Sequence, residues 1–219
     1  MLSINTNSGA IMAANAAKDA AVMMNEAMLR LSTGKRLNTA ADDPAAMQVA
    51  VRMGAEINGL TRALRNASDS QAVVDTAEGA MSEVHTLLLR MRELAVQAAS
   101  GVANSVDKDY LNLEMGQLVS QVNAISLNTK FNDQELLKGG TFTFYTDINV
   151  AGTAITTQAA DMAASALAVS AVTVSIGGAV AQNKLSSVVS AIDNALAVVD
   201  NRRAALGAVS NRFDHIIDN

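Results

Sequence analysis

The sequence contains no cysteine, no tryptophan, one proline and only two histidines in 219 residues. Without cysteine there is no disulfide, no thiolate nucleophile and no thiolate metal ligand. His85 and His215 are the only side chains suited to act as bases at neutral pH, and neither stands at a zinc or triad spacing. Each reads as an ordinary helix residue. The inward-facing Glu and His pairs of a helical-bundle enzyme are also missing from the apolar stripes described below. No catalytic residue, metal site or cofactor is expected, and the chain reads as a non-enzyme.

Aromatic residues make up only 3% of the chain, although half of it is hydrophobic. Alanine, valine, leucine and methionine supply the apolar content, and such small or unbranched side chains suit helix seams. The net charge is -5, and no basic run exceeds the Lys35-Arg36 and Arg202-Arg203 pairs, which argues against nucleic acid as a partner. The N-terminal stretch lacks the basic start and apolar run of a secretory signal, so an exported chain would use another route. Residues Met162 to Gln182 carry no charge but are rich in Ser, Thr and Gly and lack basic flanks. No membrane span is expected there.

With so few helix breakers, long helices are the expectation, and the fold class reads as mainly α. Steps of three and four pick out Ala10, Ala14, Ala17, Ala21, Met24, Met28 and Leu31, all apolar: a coiled-coil seam. Gly34 supplies a stop, Lys35 to Asp42 a connector, and Asp43-Pro44 a restart with a carboxylate N-cap and proline at the first helical position. Asp42 and Asp43 together could suggest a cation site, but a helix start explains both more simply.

A second seam runs through Ala46, Ala50, Met53, Ile57, Leu60, Leu64 and Ala67, falters at Gln71, and resumes through Val74, Ala77, Met81, Val84, Leu88, Met91, Ala95 and Ala98. The irregularity at Gln71 is a stammer, which overwinds a helix without ending it. A helix of about fifty residues would span about 75 Å. A third helix carries Leu111, Met115, Leu118, Val122 and Ile125 and is expected to fold back on the second. The last, from Asn183, carries Leu185, Val189, Ile192, Leu196, Val199, Leu206, Phe213 and Ile217, interrupted by Arg203 and Ser210. Between them Thr141–Tyr145 and Ala171–Ile176 alternate like half-buried strands, with Gly177-Gly178 as a turn. The architecture expected is a long antiparallel coiled-coil-like bundle built from both chain ends, with a small β-hairpin-containing insert over 139–181. Eleven methionines could line a promiscuous binding face, but Met24, Met28, Met53, Met81 and Met91 fall on the seams and read as core filling.

Four of the seven seam residues of the first helix are alanine. A buried methyl contributes about 0.8 kcal/mol, against about 1.5–3 for a buried Leu or Met. Ordering the backbone costs roughly 1–2 kcal/mol per residue. This seam is therefore expected to be disordered in the monomer and to order on packing against other chains.

The stretch Leu29 to Ala50, LRLSTGKRLNTAADDPAAMQVA, closely resembles the N-terminal segment of bacterial flagellins, as does Ser3–Asn7. Further matches are Gly59–Thr61, Arg65–Ala67, Thr76–Ala80, Arg90–Gln97 and, near the other end, Leu206–Phe213. Together they cover roughly residues 1 to 138 and 183 to 219, in order, on the expected helices.

The resemblance implies a filament subunit, with a filament-core part over 1–43, a helical spoke over 44–138 and 182–219, and a short variable region over 139–181. It implies a homo-polymer that drives swimming, exported unfolded by the flagellar type III apparatus with its chaperone to an extracellular filament. It also implies a further helix beyond the Asn-Arg-Phe signature, so the Ala10–Leu31 seam is expected to find its partner outside these residues. Arg90, Leu94 and Glu114 fall where similar flagellins contact the flagellin-sensing Toll-like receptor. Helix geometry alone would read Arg90, Arg92 and Glu93 as a solvated face. Leu29–Ala50 further resembles the epitope sensed by plant flagellin receptors. A hook-filament junction protein shares the terminal architecture and is the nearest alternative. A chemoreceptor-type signalling coiled coil, from another class, would need a membrane anchor and an uninterrupted hairpin tip.

Overall fold

A computed structural model describes residues 7–99, 104–146, 154–170 and 179–219. In chain order they form α1 (Ser8–Thr33), α2 (Pro44–Ala99), α3 (Ser105–Asn128), β1 (Lys130–Phe131), β2 (Gln134–Glu135), β3 (Lys138–Tyr145), β4 (Ala154–Asp161) and α4 (Ala179–Asp218). The chain divides into two compact units, Met1–Asn58 and Gly59–Asn219. The division falls inside α2.

In the first unit, α1 is capped at both ends. The Asn7 side chain accepts from the Ala10 N–H, and Gly34, in the left-handed region at φ 65°, donates its N–H to the Arg30 carbonyl. Every residue of α1 is exposed. Nothing among the described residues covers the helix, so its seam is open along its whole length. In the connector the Asp42 carboxylate accepts from the N–H groups of Asn38 and Thr39, both at 2.9 Å. Those bonds, Thr39 first, hold its carboxyl below the ordinary carboxylate range. Asp43 accepts from the Ala46 N–H at 3.0 Å, so α2 starts on an Asp cap with Pro44 first in the helix, as predicted.

The second unit holds the core. The α2 stripe Ala63, Ala67, Ser70, Val74, Ala77, Met81, Val84, Leu88, Met91, Leu94, Ala95 and Ala98 is buried. From Ala67 onward it follows the predicted seam, with Ser70 and Leu94 added. Met115 and Val122 of α3 join it, flanked by the partly buried Leu111, Leu118 and Ile125, so the third stripe also matches. Arg90 lies nine residues before the end of α2 and Glu114 nine residues after the start of α3, and the two are paired. That equal offset is the signature of an antiparallel return.

Helix α4 contributes Val188, Ile192, Ala195, Val199, Leu206 and Phe213. Val188 and Ala195 are buried where the sequence pattern favoured Val189 and Leu196, which are only partly covered. The Leu185 side chain and the Ala171–Ile176 segment lie outside what is described. Polar contacts fix the register of α4 against α2. On α2, Gln71, Glu78, His85 and Arg92 recur every seven residues, and their partners on α4 descend in number. Gln71 donates to Asp214 at 2.6 Å, Arg203 donates to Glu78 at 3.0 and 2.6 Å, His85 Nε2 lies 3.3 Å from Asp200, and Arg92 donates to Asp193 at 2.7 Å. Rows of this kind flank a coiled-coil seam and select orientation and partner. Gln71 and Arg203, which break the apolar pattern in the sequence, both belong to this ladder.

A tight hairpin precedes the insert. Asn132 and Asp133 both have positive φ, 48° and 67°, joining β1 to β2 by a two-residue turn of the kind that matches strand twist. Leu136 and Leu137 then dive into the core, and the buried Ser126 hydroxyl donates to the Leu137 carbonyl at 3.0 Å. Strand β3 pairs antiparallel with β4, Phe142 opposite Thr157 and Phe144 opposite Ile155. Phe142 and Phe144 face inward while Thr141, Thr143 and Tyr145 face out, the alternation read from the sequence. The observed partner, Ala154–Asp161, was not foreseen: AITTQAAD carries little β-branched or aromatic signal beyond Ile155 and its threonines. After β4, Met162, Ala164, Leu167 and Val169 are buried, and the Ala164 N–H donates to the Asn123 side chain at 2.9 Å. Among the described residues, no helix is long and apolar enough to cross a membrane.

Candidate assembly and recognition surfaces

Two surfaces contain the residues singled out by sequence. The first is the α1 seam. Ala10, Ala14, Ala17 and Ala21 are exposed, as are Met24 at 61%, Met28 at 64% and Leu31 at 82%. The first half of the α2 seam behaves alike: Met53, Ile57, Leu60 and Leu64 are all exposed. The expectation that Met24, Met28 and Met53 fill a core, as Met81 and Met91 do, is corrected here. The periodic pattern continues, but burial starts at Ala63, because the elements that cover the helix in the second unit pack against its later turns. Apolar residues in an unbroken helical row, open to water, mark an interaction surface.

The second surface lies on α2 and α3. Arg90 donates through Nε and Nη2 to Glu114 Oε1 at 3.0 and 2.8 Å, and through Nη1 to Glu93 Oε2 at 3.1 Å. All three side chains are substantially exposed. The Glu114 and Glu93 carboxylates push the guanidinium pKa further up. The structure thus joins Arg90 to Glu114 across two helices. Leu94, expected on the same open face, is only 1% exposed. The four-residue spacing holds, but near the end of α2 the buried stripe widens to Met91, Leu94, Ala95 and Ala98, as a helix does when covered on more than one side. Leu94 therefore belongs to the core and not to the open face. The role of Glu93 as a second anchor for Arg90 was missed, although its i,i+3 spacing was visible in the sequence.

What the described residues present is a helical bundle whose polar groups cap, turn and register helices, with long apolar helix faces open to solvent: a structural protein by class. A family model described as the bacterial flagellin N-terminal helical region matches residues 4–141. The flagellin of Halalkalibacterium halodurans is 36% identical over 211 residues, covering 94% of this chain and 76% of that protein. Polar flagellin F of Vibrio parahaemolyticus is 40% identical over 138 residues, 63% of this chain and 37% of its own length. The chain therefore belongs to the bacterial flagellin family, a family of structural proteins whose members form the extracellular flagellar filament. It spans about three quarters of the first of these relatives and little more than a third of the second.

Among solved structures, a Bacillus cereus flagellin aligns with a TM-score of 0.58 at 27% identity, covering 71% of this chain and 88% of the other. A proposed flagellar hook-associated protein from Vibrio parahaemolyticus aligns with a TM-score of 0.67 at 14% identity, covering 82% and 93%. The latter likeness is one of fold.

Proposed function

We propose that this chain is a structural subunit that polymerises with copies of itself into the flagellar filament and so serves swimming motility. The observation that carries the reading is the fully exposed seam of α1, together with the exposed Met53, Ile57, Leu60 and Leu64 of α2. Burying such a row is worth several kcal/mol per copy, on the order of 25 cal/mol per Å² removed from water, and another copy presents the same kind of row. In this reading residues 1–43 belong to the filament core, 44–138 and 182–219 to the surrounding helical spoke, and 139–181 to a short outward insert. The chain leaves the cell unfolded through the flagellar type III apparatus, escorted by its chaperone. Sequence identity to flagellins favours filament propagation over a junction role, because the likeness to the hook-associated protein is confined to fold.

Sedimentation of the purified chain with filament seeds tests this. Leu31→Asp is expected to cut the sedimented fraction about tenfold or more, since a charge replaces a side chain that assembly would desolvate, with no change in the melting of the monomer. A wild-type chain that stays monomeric at high concentration with seeds present would sink the reading.

The Arg90–Glu114 pair is proposed as a contact for a flagellin-sensing Toll-like receptor, with Glu93 fixing the guanidinium and Leu94 confined to the core. Arg90→Glu and Glu114→Arg singly are each expected to weaken receptor signalling by at least roughly fivefold, the scale of an interfacial charge pair. Unchanged signalling from both folded variants would remove the assignment.

A further inference from the structure

Among the described methionines Met47 is half-buried and the others lie at two extremes. Met81, Met91, Met115 and Met162 are buried in the second unit, whereas Met12, Met23, Met24, Met28 and Met53 are exposed. Met24 and Met28 are one turn apart on α1, on the row that also carries Ala10, Ala14, Ala17, Ala21 and Leu31. They therefore supply two of the three large apolar side chains of a seam otherwise made of alanine. Met12 and Met23 are equally open but lie off that row.

We infer that Met24 and Met28 form an oxidant-sensitive modification site that switches off the α1 seam of the unassembled chain; the inference rests on the assembly role proposed above. The reactant is a peroxide. The thioether sulfur attacks one peroxide oxygen, the O–O bond breaks as the S–O bond forms, and the hydrogen on the transferred oxygen passes to the departing oxygen. Hydrogen peroxide leaves as water; sulfur loses two electrons and the peroxide gains them. The product sulfoxide is polar, chiral and a strong hydrogen-bond acceptor. A seam of alanine methyls offers it no donor, so burying it between chains is penalised. The change is reversible, because sulfoxide reductases of the two stereochemical classes restore the thioether. Placing thioethers where leucine would pack equally well makes the weakest seam of the chain the one that responds to oxidant.

The test uses the full chain, exposed as monomer to dilute hydrogen peroxide and mapped by peptide mass spectrometry. The exposed methionines are expected to oxidise about tenfold or more faster than Met81, Met91, Met115 and Met162. The monomer concentration needed for seeded assembly is expected to rise about tenfold and to fall back after sulfoxide reductase treatment. With Met53→Leu present throughout, which removes the exposed thioether of the α2 row, the Met24→Leu/Met28→Leu variant is expected to assemble before and after peroxide alike, while Met12→Leu/Met23→Leu stays as sensitive as the parent chain. Assembly of the doubly oxidised parent at an unchanged concentration, or equal loss in the Met24→Leu/Met28→Leu variant, overturns the inference and leaves the assembly reading standing. Failure of the untreated chain to assemble overturns both.

Discussion

Truncating Phe213 to alanine is expected to lower the unfolding free energy of the second unit by about 3–5 kcal/mol in a urea melt followed by circular dichroism. Phe213 is completely buried and is among the largest side chains in the core. Its ring meets the edge of Phe144 at 5.6 Å and 78°, and Phe144 stacks in turn on Phe142 at 6.2 Å. The chain has only four phenylalanines, and three of them form this row. They tie the β3–β4 hairpin to α4. Removing Phe213 from the end of the row leaves a cavity and also forfeits an edge-to-face pair worth about 0.5–1.5 kcal/mol beyond its area. Phe213→Leu keeps most of the volume and is expected to cost less than half as much. Hydrogen exchange separates the causes: the alanine variant is expected to lose protection along β3 before it loses protection in the middle of α2. A loss below about 1 kcal/mol would mean that the hairpin is held by other contacts, such as Ile155, which is buried on its own account.

The helices were legible in the sequence because their signals are local and redundant. Gly34 closes α1, Asp43-Pro44 opens α2, and seven-residue periodicity runs through both, while the Asn7 cap emerged only in the structure. The insert was harder. Thr141–Tyr145 alternates cleanly and is a strand, but its partner Ala154–Asp161 is held chiefly by backbone pairing and one buried isoleucine. Cross-strand pairing leaves little trace in the residues that merely accept it. The Asn132-Asp133 turn had a usable signal, since both residue types tolerate positive φ.

The α2–α4 ladder was visible only as interruptions. Gln71 and Arg203 look like defects when each helix is read alone and become contacts when the two are placed side by side, Gln71 with Asp214 and Arg203 with Glu78. The Arg90–Glu114 patch shows the same limit from the other direction. Spacing put Leu94 on the face of Arg90, but burial depends on how many neighbours cover the helix, and near its end α2 is covered more widely than one stripe. Periodicity thus indicates where a face is. It does not say whether the face is covered, or by what.

That distinction yields the second large effect. Leu60 and Leu88 occupy equivalent places in one predicted row, fall on the same helix, and differ only in burial: Leu60 is 55% exposed and Leu88 is 0%. Leu88→Ala removes a buried side chain and leaves a cavity in a close-packed core, and is expected to cost about 2–5 kcal/mol of monomer stability. Leu60→Ala removes a side chain already in water, and alanine is the better helix former, so the same melt is expected to move by less than about 0.5 kcal/mol. In seeded assembly the order reverses. Leu60→Ala, combined with Ile57→Ala and Leu64→Ala, is expected to abolish sedimentation from a monomer as stable as the parent, because three apolar side chains that other copies would cover are gone at once. Urea melts and sedimentation on the same preparations test both halves. If the triple variant assembled normally, the exposed half of α2 would have no part in the polymer. If Leu60→Ala destabilised the monomer as much as Leu88→Ala, the face would already be covered within the chain, and its openness could not support the proposed assembly.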